Sequence, residues 1–372
     1  MLNKFVFIII FISISFLLFS NDEEELFPII KDGKYGYIDQ SGEIKIKPFY
    51  DEAKEFENGF AIVTSYELSV ADGSSNSGWK YGYINKEGIL VINLKFEQAE
   101  NFKNDMARVK QNGRWGFIDK DGDTKVNIIY QDAWDFNEDR ALVWNDAKFG
   151  YVDKEGKEII PLEYNGGTKF SEGLAGVKIK NKWGFIDKDG KTIIRPQFDK
   201  ASEFNEGLAR VKIDHLWGFI DKKGFLIIQP IFDKCEDFKN GIAMVEINKK
   251  WGFIDKKGKF IIKPQYNETK NFKQNLARVK KGKIWGFIDK SNKVIIPFQF
   301  EKAEDFKDGF AQIKLDGKWG FIDNKGNIVI KPQFDQCTNF HAGIARVNFK
   351  FLFSSKIGYI KNDGTYIWQP SN

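Results

Sequence analysis

The chain has 372 residues, with 57 Lys+Arg against 52 Asp+Glu for a formal net charge of +5. A balance this mild, scattered along the chain, excludes the clustered charge that a nucleic-acid partner calls for. Two cysteines and two histidines leave no Ser/His/Asp, Cys/His or metal-spaced constellation, so no catalytic residue, metal site or cofactor is expected. In chain order, residues 1–20 come first and read as a signal peptide. Lys4 is their only charge, and Phe5 to Phe19 is an apolar run broken by Ser13 and Ser15. That run is shorter than the roughly 20 residues of a membrane span. Cleavage near Ser20 is expected, which places the protein outside the cytoplasm: periplasmic, surface-bound or secreted. The alternative is an uncleaved N-terminal anchor, and any membrane attachment would be through that segment alone. An acidic stretch from Asp22 to Glu25 opens the mature chain, 21–372.

The rest is one repeat array. A glycine preceded by an aromatic or apolar residue stands at Gly36, Gly82, Gly116, Gly150, Gly184, Gly218, Gly252, Gly286, Gly320 and Gly358, and from Gly82 to Gly320 every step is 34 residues. A fixed period of this size is the signature of a repeat architecture. Residues 65–78 are an insertion that lengthens the first step.

Each unit predicts three short strands. Residues 208–213 alternate, with Ala209 and Val211 on one face and Leu208, Arg210 and Lys212 on the other; residues 217–221 and 225–229 follow. No helical period appears after the signal. Six residues after the motif glycine stands Gly in nine units and Asn292 in the tenth, which predicts a left-handed hairpin position there. Gly, Asn or Asp stands again 23 residues after it, as in Gly207 and Asn275. The linker Phe (Phe56 to Phe340) and the first-strand Ala (Ala61 to Ala345) are fixed in every linker, which predicts interlocking layers of large and small side chains. Cys235 and Cys337 each fall 17 residues after a motif glycine, where Ala stands in five other units. They read as small buried residues and not as a disulfide pair.

The runs Lys-Trp-Gly-Phe-Ile-Asp, with Pro-Gln-Phe and Phe-x-x-Gly-Leu-Ala downstream, resemble the WG repeat, also called the KWG repeat, of bacterial proteins. The match holds at Trp115-Gly116, Trp183-Gly184, Trp217-Gly218, Trp251-Gly252, Trp285-Gly286 and Trp319-Gly320 and loosens where Tyr35, Tyr81, Phe149 and Ile357 replace Trp. The family is defined by its repeat and not by a reaction, so the resemblance implies a β-repeat architecture and brings no catalytic residue.

The array starts at a predicted strand, 26–30, and stops at another, 367–370, in phase. The expected fold is therefore all-β: ten three-stranded units in an open superhelical solenoid, with a propeller-like ring as the alternative. The expected function is a non-enzymatic scaffold for protein or cell-envelope interactions, and the alternative is a glycan-binding module. For the scaffold, Arg108, Arg210, Lys212, Arg278, Lys280 and Arg346 are the candidate ligand face: a basic ladder on the exposed side of the first strands, suited to an acidic protein or an anionic envelope polymer. On that reading the triple Arg→Glu variant at 210, 278 and 346 folds normally. For glycan, the candidates are the insertion 65–78, Trp134 and Trp144, which break the period.

Overall fold

The computed structural model describes residues 24–67, 78–350 and 355–371. The signal segment and residues 68–77 of the insertion lie outside these. The described residues form ten antiparallel sheets and no helix, hence none long and apolar enough to cross a membrane. Each sheet is one blade of a ten-bladed β-propeller. This corrects the expectation of an open solenoid.

Blade six shows how the sequence makes a blade. Leu208–Ile213, Leu216–Ile220 and Leu226–Phe232 are the three predicted strands. A leading strand, Lys200–Asn205, adds a fourth, pairing Ala201 with Val211. In most blades the leading strand is two residues long, as in Lys234–Cys235. A two-residue pairing carries no alternation, which is why three strands per unit were expected and nine of the ten sheets have four. Among the described residues only the first blade, Phe27–Lys31, Lys34–Ile38 and Ile44–Tyr50, has three.

The motif glycine has a steric cause. A Cβ on Gly218 would lie 2.5 Å from the carbonyl oxygen of Ile228 and 2.8 Å from the nitrogen of Pro230. The third strand bulges over that position, with a register shift between Trp217 and Phe219. The same shift flanks Gly82 and Gly116, where Leu94 and Ile128 stand in place of proline. The glycine, not the proline, therefore permits the bulge.

The hairpin after the second strand turns as expected, with φ of 82° at Gly190, 87° at Gly224 and 69° at Asn292. An aspartate clamps it: Asp289 Oδ1 accepts from the backbone N–H groups of Ser291 and Lys293, both at 2.9 Å, and from the Ser291 hydroxyl. The Ser291 hydroxyl, then these N–H groups, hold its carboxyl below the ordinary range. A pKa lower in the folded state means the clamp is complete above the unfolded value, about 3.9, and is lost as pH falls through the folded value. Asp289→Asn should therefore lower the melting temperature at pH 7 by more than at pH 3. Equal losses at both pH values would remove this role.

Each sheet packs both faces on its neighbours. Phe219, Ile228 and Phe232 of blade six meet Phe238, Ala243, Val245 and Ile254 of blade seven in one cluster. The linker phenyl of one blade lies on the motif aromatic of the blade before: Phe185–Phe204, Phe219–Phe238 and Phe253–Phe272 all have ring centroids 4.9 Å apart. Where the motif aromatic is tyrosine its hydroxyl also donates to the next linker, as Tyr83 does to the Glu100 carbonyl at 2.7 Å.

The ends close by the same contacts. Phe27, Ile29 and Ile38 share a core with Ile344, Ile357 and Tyr359. The Phe27 and Tyr359 rings lie 5.8 Å apart, and the Tyr359 hydroxyl donates to the Pro28 carbonyl. In the first unit Phe27 occupies the place that alanine holds elsewhere, and its ring covers Tyr359 as linker phenyls cover the other motif aromatics. In-phase ends rule out a blade built from both termini. They are fully compatible with a ring closed face to face, and that is how this ring closes.

Cys235 is buried, Cys337 is half-buried, and both are free thiols. Burial pushes the Cys235 thiol up, and burial with nearby Glu304 pushes Cys337 up to about 12. Two thiols should titrate under denaturing, non-reducing conditions, and neither should react readily in the native ring. A disulfide-linked peptide joining 235 and 337 would refute the assignment.

Candidate binding site

The basic residues singled out in the sequence stand between blades, not on a free face. Arg210 lies opposite Phe219 across the strand pair, on the face that blade seven covers. Its guanidinium donates to the Cys235 carbonyl at 2.6 Å and to Asp237 at 2.6 Å, and it lies over the Trp217 ring at 5.7 Å. Arg278 repeats the clasp with the Ala303 carbonyl, Glu304 at 2.8 Å, Asp305 at 2.7 Å and Trp285. Arg108 reaches the Ala133 carbonyl and covers Trp115. Lys212 and Lys280 lie over Trp217 and Trp285 at 5.8 and 5.5 Å, and Lys280 is paired with Glu268. The side chains of Arg108, Arg210 and Arg278 are only 12–20% exposed. Alternation along the strand identified their face; it could not show that a neighbouring blade covers it.

Arg346 is different. It stands at the closing joint, where the next blade has no leading strand among the described residues, and its buried Nε has no hydrogen-bonding partner among them. At the preceding joint Gln312 donates to Asn339 at 2.9 Å, a neutral version of the same clasp.

The clasp is not universal: Ile62 and Met244 hold the arginine place in blades two and seven. Leu142 and Gly176 hold the arginine place in blades four and five, and Gly167 stands where Ala or Cys is usual. A Cβ on Gly167 would press on Leu142 at 2.6 Å, so glycine here fits the bulkier leucine. Trp183 keeps the motif ring, but Gly176 removes the guanidinium that covers it elsewhere. Exposure does not follow the guanidinium alone: Trp115 and Trp285 are 9% and 8% exposed beneath their arginines, but Trp217 beneath Arg210 is half-buried, as Trp183 is. A cleft of about 430 Å³ lies here, walled by Trp134 and Phe149 of blade four and Trp183 of blade five, with Lys169 and, from blade six, Glu203 beside them. Trp134 and Phe149 have ring centroids 5.8 Å apart. Burial raises the Glu203 carboxyl above the ordinary range, against a backbone hydrogen bond and the charge of Lys169.

Of the sequence candidates for glycan, Trp134 lines this cleft, while Trp144 stacks outside it on Phe149 at 6.2 Å. The described part of the insertion extends a hairpin of blade two, pairing Ser65 with Lys80 and Tyr66 with Trp79. In the sequence Trp183 and Phe149 read only as structural motif positions, and Glu203 was not singled out. The signal was there in the repeat frame: glycine at the alanine place and at an arginine place, both within blade five.

Among the described residues no group of three His, Cys, Asp or Glu side chains could hold a metal ion. His215 sits in an exposed turn at φ 73°, and His341 is exposed near Glu25.

No curated protein matches the chain. Among solved structures it is similar to Hsv2p of Kluyveromyces lactis, at 13% identity and a TM-score of 0.36, over 65% of this chain and 97% of that one. It is also similar to PorZ, a surface component of the type-IX secretion system of Porphyromonas gingivalis, at 10% identity and a TM-score of 0.30, over 94% and 52%. A third is the extracellular domain of the putative hybrid two-component system BT4673 of B. thetaiotaomicron, at 13% identity and 0.32, over 95% and 56%. The model of the WG containing repeat matches nine times, at residues 35–65, 81–115, 115–148, 149–183, 183–215, 217–251, 251–283, 285–319 and 319–350. With most of its length matched in consecutive copies, the chain belongs to the WG containing repeat family.

Proposed function

We propose that this ring is a non-enzymatic binding platform that works outside the cytoplasm and holds a protein or cell-envelope partner. One observation carries the reading: a cleft of about 430 Å³ beside blade five is walled by the three aromatic rings of Trp134, Phe149 and Trp183. Clefts of this size with a few polar groups at the wall are the usual form of a ligand site. The extracytoplasmic setting is supported by Lys4 and the apolar run behind it. The placement of Arg210 and Arg278 moves attention away from a salt-sensitive ladder and toward this cleft. Glycan binding is the second reading, favoured by the three rings.

The test compares wild type with Trp134→Glu on a glycan array and in affinity capture from envelope extract. Trp134→Glu is chosen because every other unit has a charged or hydroxyl residue at that place, from Lys54 to Thr338, so the ring should fold unchanged. Retention of a partner by wild type and its loss in the variant is the expected result. Partners retained equally by both, or none retained by wild type, would overturn the proposal.

A further inference from the structure

We infer that the cleft between blades four and five binds the ring of a neutral sugar, a conclusion that rests on the binding-platform reading and names its ligand. Trp134 is the first reason. A place given to polar residues in every other unit holds here a half-buried indole. Core packing does not require it, since the ring is assembled elsewhere with glutamate, lysine, serine or threonine at that position.

The second reason is the chemistry of the wall. Trp134, Phe149 and Trp183 line the cleft with aromatic rings, whose π-clouds are negative. The C–H bonds on one face of a pyranose are weakly positive and lie flat on such a surface. A sugar also brings hydroxyls at its rim, and the cleft meets them with the Glu203 carboxyl as acceptor and the Lys169 ammonium as donor. A purely apolar ligand would leave both of these unpaired on desolvation, a penalty that a polyol avoids.

The third reason is charge. The lining carries one acidic and one basic side chain, Glu203 and Lys169, so the site offers no net field to an anionic polymer. A neutral sugar suits it better than an acidic one. Gly167 helps make the site possible: it admits Leu142 beneath the floor, where a Cβ would lie 2.6 Å from that side chain.

The experiment uses the mature protein and neutral trisaccharides of glucose and of N-acetylglucosamine, with binding followed by saturation-transfer NMR. Saturation should reach the sugar C–H protons. Trp134→Glu should weaken binding by about tenfold, the scale of a lost aromatic contact. Glu203→Gln should weaken it a few-fold while leaving the melting temperature unchanged, which a merely structural residue would not do. No transfer to either trisaccharide, or equal transfer in wild type and a folded Trp134→Glu variant, would overturn the inference. If envelope capture still depends on Trp134 while neither sugar binds, the ligand is a protein surface: the inference fails and the platform reading stands. If capture fails as well, both fall.

Discussion

Gly218→Ala should destabilise the ring by about 3 kcal/mol, the upper end of overpacking costs, although alanine is the smallest side chain that can be added. The atoms a Cβ would strike, the Ile228 carbonyl oxygen and the Pro230 nitrogen, are backbone. No side chain can swing aside to relieve them, so the third strand must shift and lose its pairing with Trp217 and Phe219. Gly207 is the matched comparison. It sits at φ 88° with nothing within 4 Å of its added Cβ, so Gly207→Ala meets only the left-handed backbone cost, about 1 kcal/mol. Urea titrations of the two variants should separate by about 2 kcal/mol. Equal losses would mean that the bulge adapts and that the motif glycine is retained for another reason.

Arg278→Glu should be the most damaging single change among the basic residues. It removes the donor to the Ala303 carbonyl and places a third carboxylate beside Glu304 and Asp305. Breaking a buried pair costs about 3–5 kcal/mol. Glu304 and Asp305 are 41% and 33% exposed, and solvent screening reduces the loss to about 2–3 kcal/mol. Arg346→Glu serves as the control, because its guanidinium has no described partner, and it should cost distinctly less. The geometry thus reverses the expectation that the triple Arg→Glu variant folds normally. Denaturant midpoints decide the matter. A harmless Arg278→Glu would return the arginines to a solvent-facing role.

Much of the unit was legible because single-residue geometry fixes it. Asn292 replacing glycine at one hairpin position marked a positive φ, and the structure has it there. The Phe and Ala offsets marked interlocking layers, and Phe219–Phe238 with Ala243 between blades is that layer. The leading strand escaped because Lys234–Cys235 is too short to alternate. Closure escaped because in-phase ends suit an open array and a face-packed ring equally; the contacts between the first and last blades, Phe27 on Tyr359 among them, distinguish the two. The arginine clasp escaped for a related reason. Alternation assigns Arg210 to a face, but whether that face meets water or Asp237 depends on the next blade. The cleft was half legible. Trp134 stood out as a break in the period, whereas Phe149 and Trp183 are ordinary motif residues whose part in the cleft depends on how the neighbouring blades pack.

The closing joint shares no strand between the first and last blades, and this bears on how such a ring can change in length. In a ring fastened by a composite blade, loss or gain of a repeat must preserve both halves of the fastener. Here the two termini meet through the faces that every internal pair uses, with Phe27 standing in for a linker phenyl. Copying or deleting one 34-residue segment of the gene would leave the fastening residues untouched. What then limits the number of blades is the wedge angle set by the bulk of each phenyl against each alanine, so the size of the ring is written in side-chain volume and not in its ends.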